Sequence, residues 1–197
     1  MRRQCRLAAA TIVALFCAAL VPRSAGAQSA GPTLGMRGVG AVTIFGGYAA
    51  VEQGFSGAEV GLNVDLGHFG PRRIRLAAEG SFLRTFKNNV TVVLEDSTYR
   101  DVFYDLSGHV DLVFYARDPE SRVAPFANTG IGVHVLTSSF GSPVIDRKFN
   151  TNNFGLRMGA GSRFRIGSSA AVTVDFQVIL SREVSRGVSR LGLARMF

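Results

Sequence analysis

Between Val102 and Phe114 the chain alternates strictly. Val102, Tyr104, Leu106, Gly108, Val110, Leu112 and Phe114 occupy the even positions, and Asp105, Ser107, His109 and Asp111 the odd ones between them. A period of two over this length predicts a β-strand with one apolar and one polar face. The polar face carries two acids and a histidine, which suits a closed, hydrated interior with lipid against the other face.

The same pattern recurs along the chain. Val60, Leu62, Val64 and Leu66 alternate with Glu59, Gly61, Asn63 and Asp65 over 58–68, and Ile74, Leu76, Ala78, Gly80 and Phe82 with Arg75, Ala77, Glu79 and Ser81 over 73–86. Beyond Leu83 the phase blurs, which predicts a bulge or the membrane exit. Segment 123–137 sets Ala127, Thr129, Ile131, Val133 and Val135 against Asn128, Gly130, Gly132 and His134. Segment 153–166 sets Leu156, Met158, Ala160, Phe164 and Ile166 against Arg157, Gly159, Gly161, Arg163 and Arg165. Val172, Val174, Phe176, Val178 and Leu180 oppose Thr173, Asp175 and Gln177 over 170–180, and Leu191, Leu193 and Phe197 oppose Arg190, Gly192 and Ala194 over 188–197. A first strand is predicted over 40–51, its facing ambiguous because Ile44 and Phe45 are adjacent and Gly46-Gly47 interrupts.

The reading is therefore all-β: eight antiparallel strands in an up-and-down transmembrane barrel. Compact turns at 69–72, 117–122 and 167–169 carry proline, glycine or serine. Residues 87–98 and 138–152 are the long links, 138–152 being the longest loop; the hairpin at 87–98 is expected to extend beyond the membrane through Val90–Leu94. Long and short connections alternating in this way fit a barrel with both termini in the periplasm.

Residues 1–27 read as a cleaved signal peptide rather than as part of the fold: Arg2, Arg3 and Arg6, then the apolar run Leu7–Val21, then the small-residue site Ala25-Gly26-Ala27. That leaves residues 28–197 as one barrel domain behind a lead-in at 28–38. Both cysteines, Cys5 and Cys17, fall in the leader, so a disulfide or thiolate metal site is not expected in the mature chain. Four of the 22 basic residues lie in the leader, so the mature chain carries 18 against 14 acids, a net charge of +4. This surplus suits an anionic membrane surface better than nucleic acid. No mature segment has the roughly 18 consecutive apolar residues of a membrane helix.

Periodicity alone does not say which face is inside, and a soluble periplasmic ligand-binding barrel keeps its apolar face inward. Three features favour the membrane: apolar stripes of a length that crosses a bilayer, charges of both signs at mid-strand, and a chain ending on an aromatic residue in a strand. Inside a closed barrel Glu59, Asp65, Glu79, Asp105, Asp111 and Asp175 are expected to meet Arg75, Arg157, Arg163, Arg165 and Arg190, with His109 among them. Buried charges that fail to pair cost several kcal/mol each. The expectation is a salt-bridge network that fills the interior, with an ion path or gate as its functional alternative.

On these residues the chain resembles the small eight-stranded outer-membrane barrels of the OmpA and OmpX type, the outer membrane protein β-barrel group of Gram-negative bacteria. The resemblance rests on the leader, the eight alternating segments, Gly130-Ile131-Gly132, Gly159-Ala160-Gly161 and the final Phe197. It implies an outer-membrane, porin-like cell-envelope protein, and a role for Phe197 as the signal read by the barrel-assembly machinery. Arg195 departs from the family's apolar alternation back from the end. The expected surroundings are outer-membrane lipid and lipopolysaccharide, the expected state a monomer, and no cofactor is expected.

The leading function is a non-enzymatic barrel with a structural, adhesive or weak pore role. The alternative is a lipid A-modifying, deacylase-like enzyme, motivated by His134 with Thr137, Ser138 and Ser139 following near the outer rim; the residue between, at 136, is leucine. Ser107, His109 and the neighbouring acids share a face, but same-face residues two apart stand about 7 Å apart along a strand. Three scattered histidines give no metal-site signal. Lys87, Arg100, Arg147, Lys148, Arg182 and Arg186 are expected in or beside the outer loops, where they could pair with lipopolysaccharide phosphates.

Overall fold

The computed structural model describes residues 39–52, 55–68, 71–86, 88–92, 97–141, 146–182 and 185–197. The leader, its cleavage site and the lead-in lie outside them. The strands are β1 (Ala41–Val51), β2 (Ser56–His68), β3 (Ile74–Thr85), β4 (Asn88–Val92), β5 (Ser97–Tyr115), β6 (Val123–Gly141), β7 (Asp146–Arg165), β8 (Ala170–Ser181) and β9 (Arg186–Met196). All pairings are antiparallel, in the order β3-β2-β1-β9-β8-β7-β6-β5, and β3 pairs β5 to close the ring. The barrel proper therefore has eight strands. The short β4 pairs only the beginning of β5, from Asn88↔Asp101 to Val92↔Ser97, and extends the hairpin above β3.

Closure removes every sheet edge within the ring, as hydrocarbon requires, because it offers no partner to an exposed backbone N–H or C=O. Which face points outward is settled along β5: Asp105, Ser107, His109 and Asp111 are buried, whereas Leu106, Val110, Leu112 and Phe114 are exposed, Val110 at 50%. Elsewhere Ile131 is 66% exposed, Leu193 68%, and Val60, Leu156, Val174 and Phe176 also face out. The soluble alternative fails here, because the apolar stripe is on the outside.

The facing of β1 also resolves: Ala41, Thr43, Phe45 and Ala49 are buried, and Ile44 and Tyr48 are exposed. The inner face of this strand is mostly apolar, which hid its phase. The blur beyond Leu83 has a related cause and is not a bulge. Leu83 keeps the inward phase of Glu79 and Ser81 and joins an apolar cluster with Ala49, Val51, Ile179 and Val188, packed by Phe55 and Phe103. Inward positions turn apolar toward the end of the barrel that carries the hairpin links. A real irregularity lies in β2, between Asp65 and Gly67. There Gly67 has φ 108°, a backbone that favours glycine, and its N–H donates to Asp65 Oδ1 at 3.0 Å.

The stretch expected to be the longest loop, 138–152, is largely strand: β6 and β7 continue pairing out to Gly141↔Asp146. β5, β6 and β7 are 19, 19 and 20 residues long, against 11 for β1 and β9. A strand needs about 9–11 residues to cross a bilayer, so one side of the wall stands well above the rest.

Val110→Arg places a charge on the lipid face near mid-barrel. It is expected to destabilise the barrel by about 2–4 kcal/mol, measured by denaturant unfolding in lipid vesicles, with Ser107→Thr on the inner face as a milder control.

Candidate functional site

The interior is where this fold concentrates chemistry. Strands β5, β3, β7, β8 and β9 each turn charged side chains inward, and register makes room for them. Asp111 lies opposite Gly130 and His109 opposite Gly132, and a Cβ at either glycine would collide with the partner side chain. The glycines of β6 thus give space to the charges of β5.

Six carboxylates, Glu59, Asp65, Glu79, Asp105, Asp111 and Asp175, share this interior with five guanidiniums, Arg75, Arg157, Arg163, Arg186 and Arg190, among the described residues. They fall into three groups. Near the end carrying the tight turns, Arg75 binds Asp65 at 2.7 Å, and Arg163 lies 3.9 Å from the same carboxylate with its guanidinium 5.1 Å over the Tyr115 ring.

At the centre, Arg157 bridges Glu79 and Asp111, its Nε 3.1 Å from Asp111 Oδ1. Arg190 bridges Glu79 at 2.8 Å and Asp175 at 2.7 Å, and stacks 4.3 Å over Phe45. Asn63 donates to Glu79 at 3.2 Å, and Gln177 to Asp175 at 2.9 Å. Two arginines and three acids are thus interlocked across five strands, in the bidentate style that suits a planar guanidinium.

Toward the link end, Arg186 binds Asp105 and lies 3.5 Å from Glu59, while His134 Nδ1 sits 2.8 Å from Asp105 Oδ2. The His109 and His134 rings meet edge to face at 4.9 Å. Among the described residues His109 makes no hydrogen bond, and its contact within the expected network is with the His134 ring.

Two expectations need correction. Arg165 is not part of the interior. It is the last residue of β7, where the barrel has ended, and it donates to the carbonyls of Gly167, Ser168 and Glu120, bracing two turns. Arg186 is not an outer-loop cation but is buried at 3% exposure, because β9 begins two residues earlier than its hydrophobic pattern indicates. The side chains of Lys87, Arg100, Arg147 and Lys148 lie outside the described ones, and Arg182 is exposed.

Sequence reasoning set His134 at the rim. Its even phase in β6, shared with Asn128, was the signal that places it inside. Ser107 lies directly across from it, but its hydroxyl pairs with Ser81 at 2.8 Å, and His134 Nε2 has no partner. The His134–Asp105 pair therefore has the base and the orienting acid of a nucleophilic site without a nucleophile in hydrogen-bond reach. Ser138 is separated from His134 by buried Leu136.

A cavity of about 50 Å³ lies in the turn-end half, lined by Asp65, Asp111, Tyr115, Arg163, Asp175 and Arg190 among others. That is room for about four waters. Among the described residues, no group of three or more metal-ligating side chains could hold an ion.

An apolar exterior, a closed antiparallel ring and an interior of ion-paired side chains define a membrane-spanning β-barrel. The chain belongs to the family described as the outer membrane protein β-barrel domain, whose pattern matches residues 9–197, and this places it in the outer membrane. Solved structures agree on the fold. Neisserial surface protein A is 14% identical, with 80% of this chain and 96% of that one covered and a TM-score of 0.52. The N-terminal β-barrel domain of Pseudomonas aeruginosa OprF is 12% identical, covering 82% and 100%, TM-score 0.52. The outer membrane enzyme PagL is 17% identical, covering 79% and 99%, TM-score 0.51. No curated protein matches the sequence.

Arg157→Met leaves Glu79 and Asp111 without their shared partner and is expected to cost about 3–5 kcal/mol. Combining it with Glu79→Gln and Asp111→Asn is expected to recover much of that loss, read as the unfolding midpoint in lipid vesicles.

Proposed function

We propose that this is a non-catalytic outer-membrane barrel whose working part is the wall standing above the membrane, with an adhesive role. The observation that carries the reading is the unequal strand length. From Asp146 to Phe154, β7 pairs β6 on one side, whereas its pairing with β8 starts only at Gly155. Among the described residues that stretch is a strand edge without a second partner, and β4 supplies the opposite border of the same projecting sheet. Free edges of this kind accept an extended segment of a partner through backbone hydrogen bonds. Export through a cleaved leader ending at Ala27, assembly through Phe197, contacts to lipopolysaccharide and a monomeric state belong to the same proposal.

The filled interior supports a structural rather than a conducting barrel. The Arg157–Glu79–Arg190 lattice spans the centre, and the apolar cluster occupies the link end. Refolded protein in planar bilayers is expected to give no conductance steps; regular steps would restore the pore.

For adhesion, the test is retention of protein-bearing vesicles on host cells or matrix, with and without a shortened β6–β7 hairpin lacking residues 138–149. Loss of retention by a variant that still migrates as a folded, heat-modifiable barrel is the expected outcome. Undiminished retention contradicts the proposal.

The second reading, a lipid A deacylase, draws on the buried His134–Asp105 pair and on the shared fold with the enzyme PagL. Against it stand the depth of the pair and the missing nucleophile. Mass spectrometry of lipid A from cells with and without the protein decides it: an unchanged acyl pattern is expected.

A further inference from the structure

Eight buried polar atoms without a hydrogen-bond partner among the described residues gather on five of them: both Glu59 oxygens, Asp105 Oδ1, both His109 nitrogens, His134 Nε2, and Arg186 Nε and Nη2. Unpaired buried polar groups cost about 1–3 kcal/mol each, and folded proteins hold few of them. These five residues form one continuous run across the barrel. Glu59 is 3.5 Å from Arg186, Arg186 binds Asp105, Asp105 is 2.8 Å from His134, and the His134 and His109 rings are 4.9 Å apart.

The run is also out of charge balance. Among the described residues, Glu59 and Asp105 share one ion-paired guanidinium, that of Arg186, two carboxylates to one cation. The same excess holds for the whole described interior, with six carboxylates against five guanidiniums. A buried charge must be compensated, and among the described residues no second guanidinium forms an ion pair with Glu59 or Asp105.

We propose that His134 is a proton-binding site that supplies the missing positive charge. In the neutral ring Nδ1–H donates to Asp105 and Nε2 is a bare acceptor. A proton taken up at Nε2 makes the ring a cation held against Asp105 and cancels the excess. Every wall of the barrel bears on this site. β5 presents Asp105 and His109, β2 Glu59, β3 Glu79, β7 Arg157, and β9 Arg186 and Arg190. β1 and β8 turn Ala49 and Ile179 inward near it.

His109 does not share the role. Among the described residues it has no carboxylate in hydrogen-bond contact. The two neighbouring imidazoles thus divide the work: His134 takes the proton, and His109 stays neutral beside it. The proton stabilises the folded barrel, so resistance to unfolding is gained on acidification.

The test uses full-length mature protein refolded in lipid vesicles, in a His68→Gln background so that only interior imidazoles report. The guanidinium unfolding midpoint is followed from pH 8 to pH 5. The expected result is an upward shift on acidification that His134→Gln abolishes and His109→Gln retains. A flat profile, a shift that survives His134→Gln, or one that disappears with His109→Gln instead overturns the proposal. If His134→Gln does not fold, the imidazole C–H resonances of the His68→Gln protein decide: one interior ring titrating and assigned to His134 supports it, and no titrating interior ring refutes it.

Discussion

Carboxylates and guanidiniums at the centre of this barrel have only one another to answer to. Hydrocarbon surrounds the wall, an apolar cluster occupies one end, and eight strands enclose too little space for bulk water to screen charge. Under that constraint the interior cannot be a loose collection of polar residues. Each arginine must reach across to a particular acid, and Arg157 and Arg190 do so twice, joining β3, β5, β7, β8 and β9 through Glu79, Asp111 and Asp175. The lattice ties strands that are remote in sequence, such as Glu79 to Arg190, and so reinforces the closure that backbone pairing begins.

Much of this was legible in the sequence because two solvents act on alternate residues. Lipid selects every second side chain to be apolar, and the interior selects the others to be small or charged. Where both pressures act, as in β5, phase, facing and the acids Asp105 and Asp111 can be read directly. Where the interior itself turns apolar, the alternation vanishes although the geometry does not change. Phe45, Leu83 and Ile179 are inward residues that look outward by chemistry alone, and this is why the first strand resisted assignment and the third lost its phase. Arg186 went unread for a neighbouring reason. It opens its strand beside a polar link, and only the pairing of β9 with Val51 and Ile179 shows that it points into the barrel. The length of β6 and β7 was hidden by glycine, serine and proline, which read as a loop where the backbone still pairs.

The same logic separates what the fold does from what it hosts. Membrane crossing needs only about ten residues per strand, and β1, β8 and β9 spend little more than that. The surplus in β5, β6 and β7 serves no requirement of insertion, and it projects on one side only. The interior, by contrast, is taken up among the described residues by ion-paired charge. The proposed surface role rests on the tall side of the wall and the polar core lies beneath it, one wall built to two heights.

The central claim is that the apolar stripe of each strand meets acyl chains and the polar stripe is enclosed. Because both cysteines lie within the first 27 residues, single cysteines can be introduced one at a time along β5 from residue 104 to 113 in the mature chain and labelled with a nitroxide in lipid bilayers. Oxygen accessibility is expected to oscillate with a period of two, high at 106, 110 and 112 and low at 105, 107, 109 and 111. A flat profile, or one with its maxima at the odd positions, would contradict the account.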